Sequence, residues 1–291
     1  MKKLSTKEFI LDLQNKFDKL SISLDKLSEK KNKNNDLNNT IKEEILRRFD
    51  KNIRNRVYHK KRNQRHCGSE GHWLENKMGI IPNGNNEPDI LGFEMKKNSN
   101  KITLGDFSAS EYIFSNNKKN IKINENCKIT KEIFLQTFGE PNKEKNGRFS
   151  WSGKVIPKYG NWNNFGQKMI FNKNNDLLLL YNYEKDTRER KKKFLNYFKE
   201  KIICIAFWSK EKLKNNIENK FNNKGFFICN KKNNKYNSIS FGNPFNFHYF
   251  VEQLKDNTIF FDSGMYEGNS RNYSHFRANK NFWNKLITET I

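Results

Sequence analysis

Apolar residues open the chain at helical spacing. Phe9, Leu13, Phe17, Leu20, Leu24 and Leu27 recur every three or four positions, the seam of an amphipathic helix or short coiled coil. The run NKNNDLNN at 32–39 breaks that seam, and a second stripe follows at Ile41, Ile45, Phe49 and Ile53. Two such stripes predict an antiparallel helical hairpin. From Gly68 onward the texture changes to glycine, proline and short apolar runs, as in a mixed α and β domain. The pattern predicts strands near 88–96, 101–105, 176–183, 201–208, 225–230, 236–241 and 258–262. It predicts helices near 70–79, 129–138, 188–200, 209–222 and 245–255. The stretch 139–175 reads as loop-rich, with no pairing to be assigned. The division that results is a helical segment over 1–66 with a basic end, then one domain over 67–291.

Composition narrows the class. The 291 residues carry 56 Lys and Arg against 32 Asp and Glu, a formal net charge of +24. Hydrophobic residues make up only 34%, but 25 Phe, 10 Tyr and 5 Trp supply large buried area per residue, so a real core is expected. The charge points to a polyanionic partner, nucleic acid first, and the cluster RNRVYHKKRNQRH at 54–66 reads as a phosphate-contacting arm. Lysine- and asparagine-rich runs also arise from compositional bias, so charge alone does not establish that partner. Cys67, Cys127, Cys204 and Cys229 show no CxxC spacing, which fits a reducing cytoplasm better than a disulfide framework. His59, His66, Cys67 and His72 cluster, but their spacing matches no common zinc pattern. The longest apolar runs, 177–181 and 202–208, are strand-sized and too short to span a membrane.

The chemistry concentrates in 68–104. Pro88-Asp89 precedes Glu94-Met95-Lys96, and Glu and Lys at i and i+2 of a strand point to one face. Two carboxylates can hold Mg²⁺ while an adjacent ammonium orients water, the equipment of metal-assisted phosphodiester hydrolysis. Asp89 and Glu94 are an odd number of residues apart, so they share a metal only if the chain bends between them, and Gly92 is the natural place. Glu-x-Lys by itself says little: it begins also at Glu29, Glu75, Glu189 and Glu218. Only the copy at Glu94 lies in an apolar strand context just after Pro-Asp.

The surrounding residues sharpen the reading. Gly68-x-x-Gly71-x-x-x-Glu75, Gly79-Ile80, Glu87-Pro88-Asp89 and Gly92-Phe93-Glu94-Met95-Lys96 together resemble the MvaI/BcnI family of type II restriction endonucleases. That family is related to the MutH and Sau3AI nucleases of the PD-(D/E)xK superfamily. The C-terminal run Phe261-Asp262-Ser263-Gly264-Met265, Arg271 to Ala278 and Phe282-Trp283 is similar to the family's end, so the resemblance spans about 68–287. It implies an α/β (α+β) nuclease core with a mixed central sheet flanked by helices, preceded here by the N-terminal helical segment. It implies that Asp89, Glu94 and the Met95 carbonyl bind Mg²⁺ (with Mn²⁺ able to substitute), that Lys96 positions or activates water, and that Glu75 adds a carboxylate near the metal. The stretch GDFSASEY after the catalytic strand departs from the family pattern. For DNA contact, Arg271, His275 and Arg277 are the candidate base readers, with Lys60, Arg62, Arg65 and Lys97 as phosphate contacts. Trp151, Tyr159 and Trp162 are further candidates for the DNA face, with core the expected place for at least two.

The leading function is thus a Mg²⁺-dependent endonuclease cutting double-stranded DNA at a short, G·C-rich, nearly palindromic site. Its expected setting is the cytoplasm, alongside a cognate DNA methyltransferase with no physical complex implied, as a monomer or as a dimer through the N-terminal helices. Two alternatives stand beside it: a MutH-like nicking enzyme working with a repair partner, and a DNA-binding protein without catalysis. The intact Asp89, Glu94 and Lys96 argue against the last, since a pure binder gains nothing from carboxylates facing phosphate.

Overall fold

The structure is a computed structural model that describes residues 36–60, 68–81, 86–122, 128–199 and 202–291. The chain divides into two compact units, Met1–Arg54 and Asn55–Ile291. The first stripe of the sequence, with Arg62, Arg65, His66, Cys67 and Cys127, lies outside the described residues. In the first unit, helix α1 runs over 36–52, with Ile45 and Phe49 buried at i and i+4. Residues 36–39, expected to break the helical pattern, are helical, and Thr40 Oγ1 donates to the Asp36 carbonyl four residues back.

The second unit begins by pairing its own entry strand: Val57 bridges Lys235. It holds α2 (Ser69–Met78), β1 (Glu94–Lys97), β2 (Lys101–Asp106), β3 (Glu111–Tyr112), α3 (Lys131–Phe138), β4 (Glu140–Asn142), β5 (Arg148–Trp151), β6 (Phe165–Phe171) and β7 (Leu177–Asp186). There follow β8 (Ile203–Trp208), α4 (Lys210–Phe221), β9 (Phe226–Lys232), β10 (Lys235–Gly242), α5 (Phe247–Lys255), β11 (Ile259–Asp262) and β12 (Met265–Tyr266). The chain closes with β13 (His275–Asn279), α6 (Lys280–Leu286) and β14 (Ile287–Thr290). The mixed α and β class is as expected, but the strands form four sheets, in the orders β1-β9-β10-β14, β11-β13-β2, β12-β5-β4 and β3-β8-β7-β6.

The sheet that carries the site is mixed. β1 pairs parallel to β9, with Glu94 opposite Phe226 and Lys96 opposite Ile228, while β10 runs antiparallel to both β9 and β14. A strand buried on both faces needs a continuous apolar run, and β9 supplies one in Phe226, Phe227, Ile228 and Cys229, all buried. Ser209 caps α4 by accepting from Lys212 N, and its buried stripe Leu213, Ile217 and Phe221 anchors the helix beside that sheet.

Three expectations are corrected. The helix expected over 188–200 is instead two short 3₁₀ turns, Glu189–Lys193 and Asn196–Phe198. Crowded like charges weaken an α-helix there. The arginines also have other acceptors: Arg188 donates to Thr137 O and Gly139 O, and Arg190 to Gln136 O and Gly139 O, satisfying carbonyls that α3 leaves open at its end. The strand expected from 88 begins only at Glu94, because 90–93 is a tight turn. Of the three candidate DNA-facing aromatics only Trp151 is buried. Tyr159 and Trp162 are half-buried, with Lys168 Nζ 4.4 Å above the Trp162 ring.

Candidate active site

The turn at 90–93 builds the site. Ile90 and Phe93 exchange both backbone hydrogen bonds, at 3.0 and 2.8 Å. Leu91 and Gly92 between them have φ of 51° and 89°, the sign pattern of a type I′ turn. A Cβ at Gly92 would also crowd Asn223 and Lys224, so glycine is favoured twice over. The reversal brings Asp89 back alongside β1, where its Oδ2 accepts from Met95 N at 2.9 Å. The odd spacing of Asp89 and Glu94 is thereby resolved by a bend at the expected glycine.

Glu94 is 2% exposed. Its Oε1 accepts from Lys96 Nζ at 2.6 Å and forms an ion pair with Lys220 Nζ at 3.0 Å. Its Oε2 is buried with no hydrogen-bond partner among the described residues. A carboxylate oxygen sealed from water and left unpaired is costly unless something is meant to meet it. Burial pushes the Glu94 carboxyl above its usual range and the neighbouring Asp89 adds to this, against the pull of Lys96 and Lys220. Lys96 Nζ also donates to Leu104 O at 3.0 Å and lies 5.4 Å from the Phe221 ring. Burial, aided by the Lys220 charge, holds Lys96 below the ordinary lysine range, against Glu94 and Asp89.

The other face of β1 is a different environment. Lys97 Nζ donates to Glu70 Oε2 at 2.9 Å. Glu70, in the first turn of α2, also accepts from Lys231 and from Tyr236 Oη, the latter at 2.9 Å. Trp73 stacks on Tyr236 at 5.7 Å between centroids. Burial opposes ionisation of Glu70, but the hydrogen bonds from Lys231, Lys97 and Tyr236 outweigh it and hold the carboxyl below its usual range. Lys97, a candidate DNA contact, is therefore engaged with α2.

Glu75 is not joined to this constellation: its Oε2 lies 3.1 Å from His72 Nδ1, and no hydrogen bond or ion pair among the described residues links it to Asp89, Glu94 or Lys96. No group of three or more His, Cys, Asp or Glu placed to hold a metal occurs among the described residues. The donor set at the site is thus two carboxylates with the backbone between them.

Two of the candidate base readers, His275 and Arg277, lie on β13, and Arg271 lies in the segment just before it. His275 lies in register between Asp262 of β11 and Asp106 of β2. Its Nδ1 is buried without a hydrogen-bond partner among the described residues, and burial, with Arg277 and Arg271, pushes its pKa down against the pull of Asp106 and Asp262. Arg277 Nε is 3.3 Å from Asp262 Oδ2. Arg271 is more open: 69% of its side chain is exposed, 3.7 Å from Asp106 and 5.0 Å above the Tyr273 ring. Lys60 is exposed.

Sequence reasoning missed Lys220 and Glu70. Lys220 belongs to the Glu218-x-Lys220 copy of the motif; its one local signal is the apolar stripe of α4 running directly into the β9 run. Glu70 stands in the quoted glycine motif, yet nothing local marks it as the partner of a strand lysine.

Known proteins bear on this geometry. The family model described as LlaMI restriction endonuclease matches residues 46–291. The chain is 39% identical over 267 residues to the type II restriction enzyme ScrFI of Lactococcus lactis subsp. cremoris, across 86% of this chain and 98% of that one. Its fold is similar to that of the restriction endonuclease MvaI in complex with its cognate DNA substrate, with a TM-score of 0.54 and 15% identity over 87% of this chain and 97% of the other. No helix among the described residues is long and apolar enough to cross a membrane. The paired carboxylates, the lysine two residues on and the match over the whole second unit agree: the chain belongs to the LlaMI family of type II restriction endonucleases, enzymes of site-specific DNA cleavage.

Proposed function

We propose that this endonuclease is Mg²⁺-dependent, with Mn²⁺ able to substitute, and cuts both strands of DNA at a short, G·C-rich, nearly palindromic site. One observation carries the metal: Glu94 Oε2, a hard oxygen donor, is buried beside Asp89 with no partner among the described residues. Asp89, Glu94 and the Met95 carbonyl would hold the ion. When bound, a divalent cation polarises the phosphoryl oxygen and acidifies its water. Lys96, fixed by Glu94 and Leu104 O, keeps a third N–H direction with which to hold and polarise the attacking water. Glu75 has His72 as its partner, so a part for it at the metal requires release from that helix surface.

For target reading, Arg271 and Arg277 suit guanine O6 and N7. His275, held toward the neutral form, suits a base edge better than a phosphate. Lys60, Arg62 and Arg65 are the proposed phosphate contacts; Lys97 is left out, because Glu70 already holds its ammonium. A cognate methyltransferase, a cytoplasmic setting and a monomer or a dimer through the N-terminal helices complete the reading, as does the division into a segment 1–66 and a nuclease domain 67–291.

Supercoiled plasmid DNA incubated with the protein in Mg²⁺, Mn²⁺ or chelator, followed by sequencing of the ends, tests the proposal. Linear fragments sharing one terminal sequence, formed only with divalent ions, are expected. Nicked circles alone would favour the nicking alternative, and intact plasmid in every buffer would contradict the reading.

A further inference from the structure

Lys220 stands at the site from a distant part of the sequence. It lies in the last turn of α4, next to Phe221, whose ring packs 4.5 Å from Phe245 and is fully buried. The helix end is therefore fixed, and the Lys220 side chain, 12% exposed, reaches Glu94 Oε1 at 3.0 Å. Lys96 and Lys220 share that oxygen but differ in their other partners. Lys96 Nζ is held by two acceptors, Glu94 Oε1 and Leu104 O. Lys220 Nζ has Glu94 as its only hydrogen-bond or ion-pair partner among the described residues. Beyond that ion pair its N–H groups make no hydrogen bond among the described residues, and it stands next to a carboxylate whose second oxygen is also unpaired among them.

Glu94 and the neighbouring Asp89 balance Lys96 and Lys220 in charge, so what sets the two lysines apart is donor capacity and not charge. Lys96 has a second acceptor in Leu104 O, whereas the Lys220 ammonium keeps N–H groups that a negatively charged ligand would use. The charge that arrives at a nuclease site is the scissile phosphodiester. We propose that Lys220 is a second catalytic lysine, which donates to a non-bridging oxygen of the scissile phosphate while Lys96 serves the attacking water. In the hydrolysis, the water oxygen bonds to phosphorus, the bond from phosphorus to one sugar oxygen breaks, and the proton that the water releases is balanced by the one the leaving oxygen takes up from solvent to become a hydroxyl. Lys220 offsets the charge on the spectator oxygens and neither gains nor loses a proton. The inference rests on the active-site reading given under Proposed function.

The test is Lys220→Met, which keeps the apolar stem and removes the charge, with Lys220→Arg beside it and Lys220→Gln in reserve should Met fail to fold. A duplex carrying the site mapped with the wild-type protein is cut under single-turnover conditions. Lys220→Met should slow cleavage about 100- to 1000-fold, the effect of losing one charge-stabilising donor, and Lys220→Arg should restore about tenfold or more of that loss. Mn²⁺ binding to the DNA-free protein, read by calorimetry, should hold or tighten, since a positive neighbour has gone. Sulfur at the non-bridging oxygen that Lys220 meets should slow the wild type and leave Lys220→Met less affected. Cleavage by Lys220→Met within about threefold of wild type overturns the proposal. So does a slowed rate matched by an equal loss of Mn²⁺ affinity, which would mean that Lys220 only shapes Glu94. Glu94→Ala in parallel separates the two failures: if it too cuts normally, the site itself is misassigned.

Discussion

The two faces of β1 carry adjacent lysines in opposite states. Lys97 sits in a completed network: Glu70 accepts from it, from Lys231 and from Tyr236, and a tryptophan covers the tyrosine. Lys96 sits in an incomplete one, beside a buried carboxylate that has two cations on one oxygen and, among the described residues, no partner on the other. Charge and sequence neighbourhood are nearly the same for both. What differs is satisfaction. A saturated polar cluster fixes α2 to the sheet, whereas an unsaturated one keeps capacity for a ligand, so in the proposed assignment the unmet hydrogen bond marks the chemical face and the met ones the structural face.

The comparison can be broken most severely at the carboxylates. Asp89→Ala or Glu94→Ala should abolish cleavage in a plasmid assay. DNA affinity in metal-free buffer should be retained or improved, because negative charge near phosphate has been removed. On the other face, Glu70→Ala should leave the cleavage rate of folded molecules near wild type and lower stability by about 2–4 kcal/mol. It strands two lysines and a tyrosine hydroxyl at once. Chemical denaturation read by tryptophan fluorescence, beside a cleavage assay, checks both halves. If Glu70→Ala cost activity without stability, the assignment of the two faces would be reversed.

A smaller effect follows from titration. Glu70 is held below its ordinary pKa, so its contribution to stability is complete above the unfolded carboxyl value and is lost as the pH falls through the depressed folded value. Between pH 5 and pH 3 the wild type should lose more stability than Glu70→Gln. Melting temperatures across that range show it, and parallel curves would remove Glu70 from the account.

Much of this was legible in the sequence because it is local. The apolar runs at 177–181 and 202–208 gave their strands, since burial leaves continuous apolar positions, and the helix expected near 209–222 is α4, which buries Leu213, Ile217 and Phe221. The Asp89–Lys96 constellation was legible for the same reason: one turn and one strand contain it, and Gly92 marked the bend. What was not legible depends on distant partners. β13 reads HFRAN, its polar positions given to His275 and Arg277, and it joins a sheet through β2 and β11 rather than through its own hydrophobicity. The segment 188–200 looked helical because its arginines gave no local sign that they would close the end of α3. Lys220 was one more Glu-x-Lys in a lysine-rich chain until α4 delivered it to Glu94.

The central claim is that the Glu94 face of β1, and not its basic surroundings in general, performs the cleavage. Single-turnover rates of Lys96→Ala and Lys97→Ala at saturating Mg²⁺ test it most directly. The account predicts a loss of about 100-fold or more for Lys96→Ala, with metal binding largely kept. For Lys97→Ala it predicts a rate within a few-fold of wild type, accompanied by reduced stability through Glu70. Equal rates for the two variants, or the larger loss at Lys97, would contradict it.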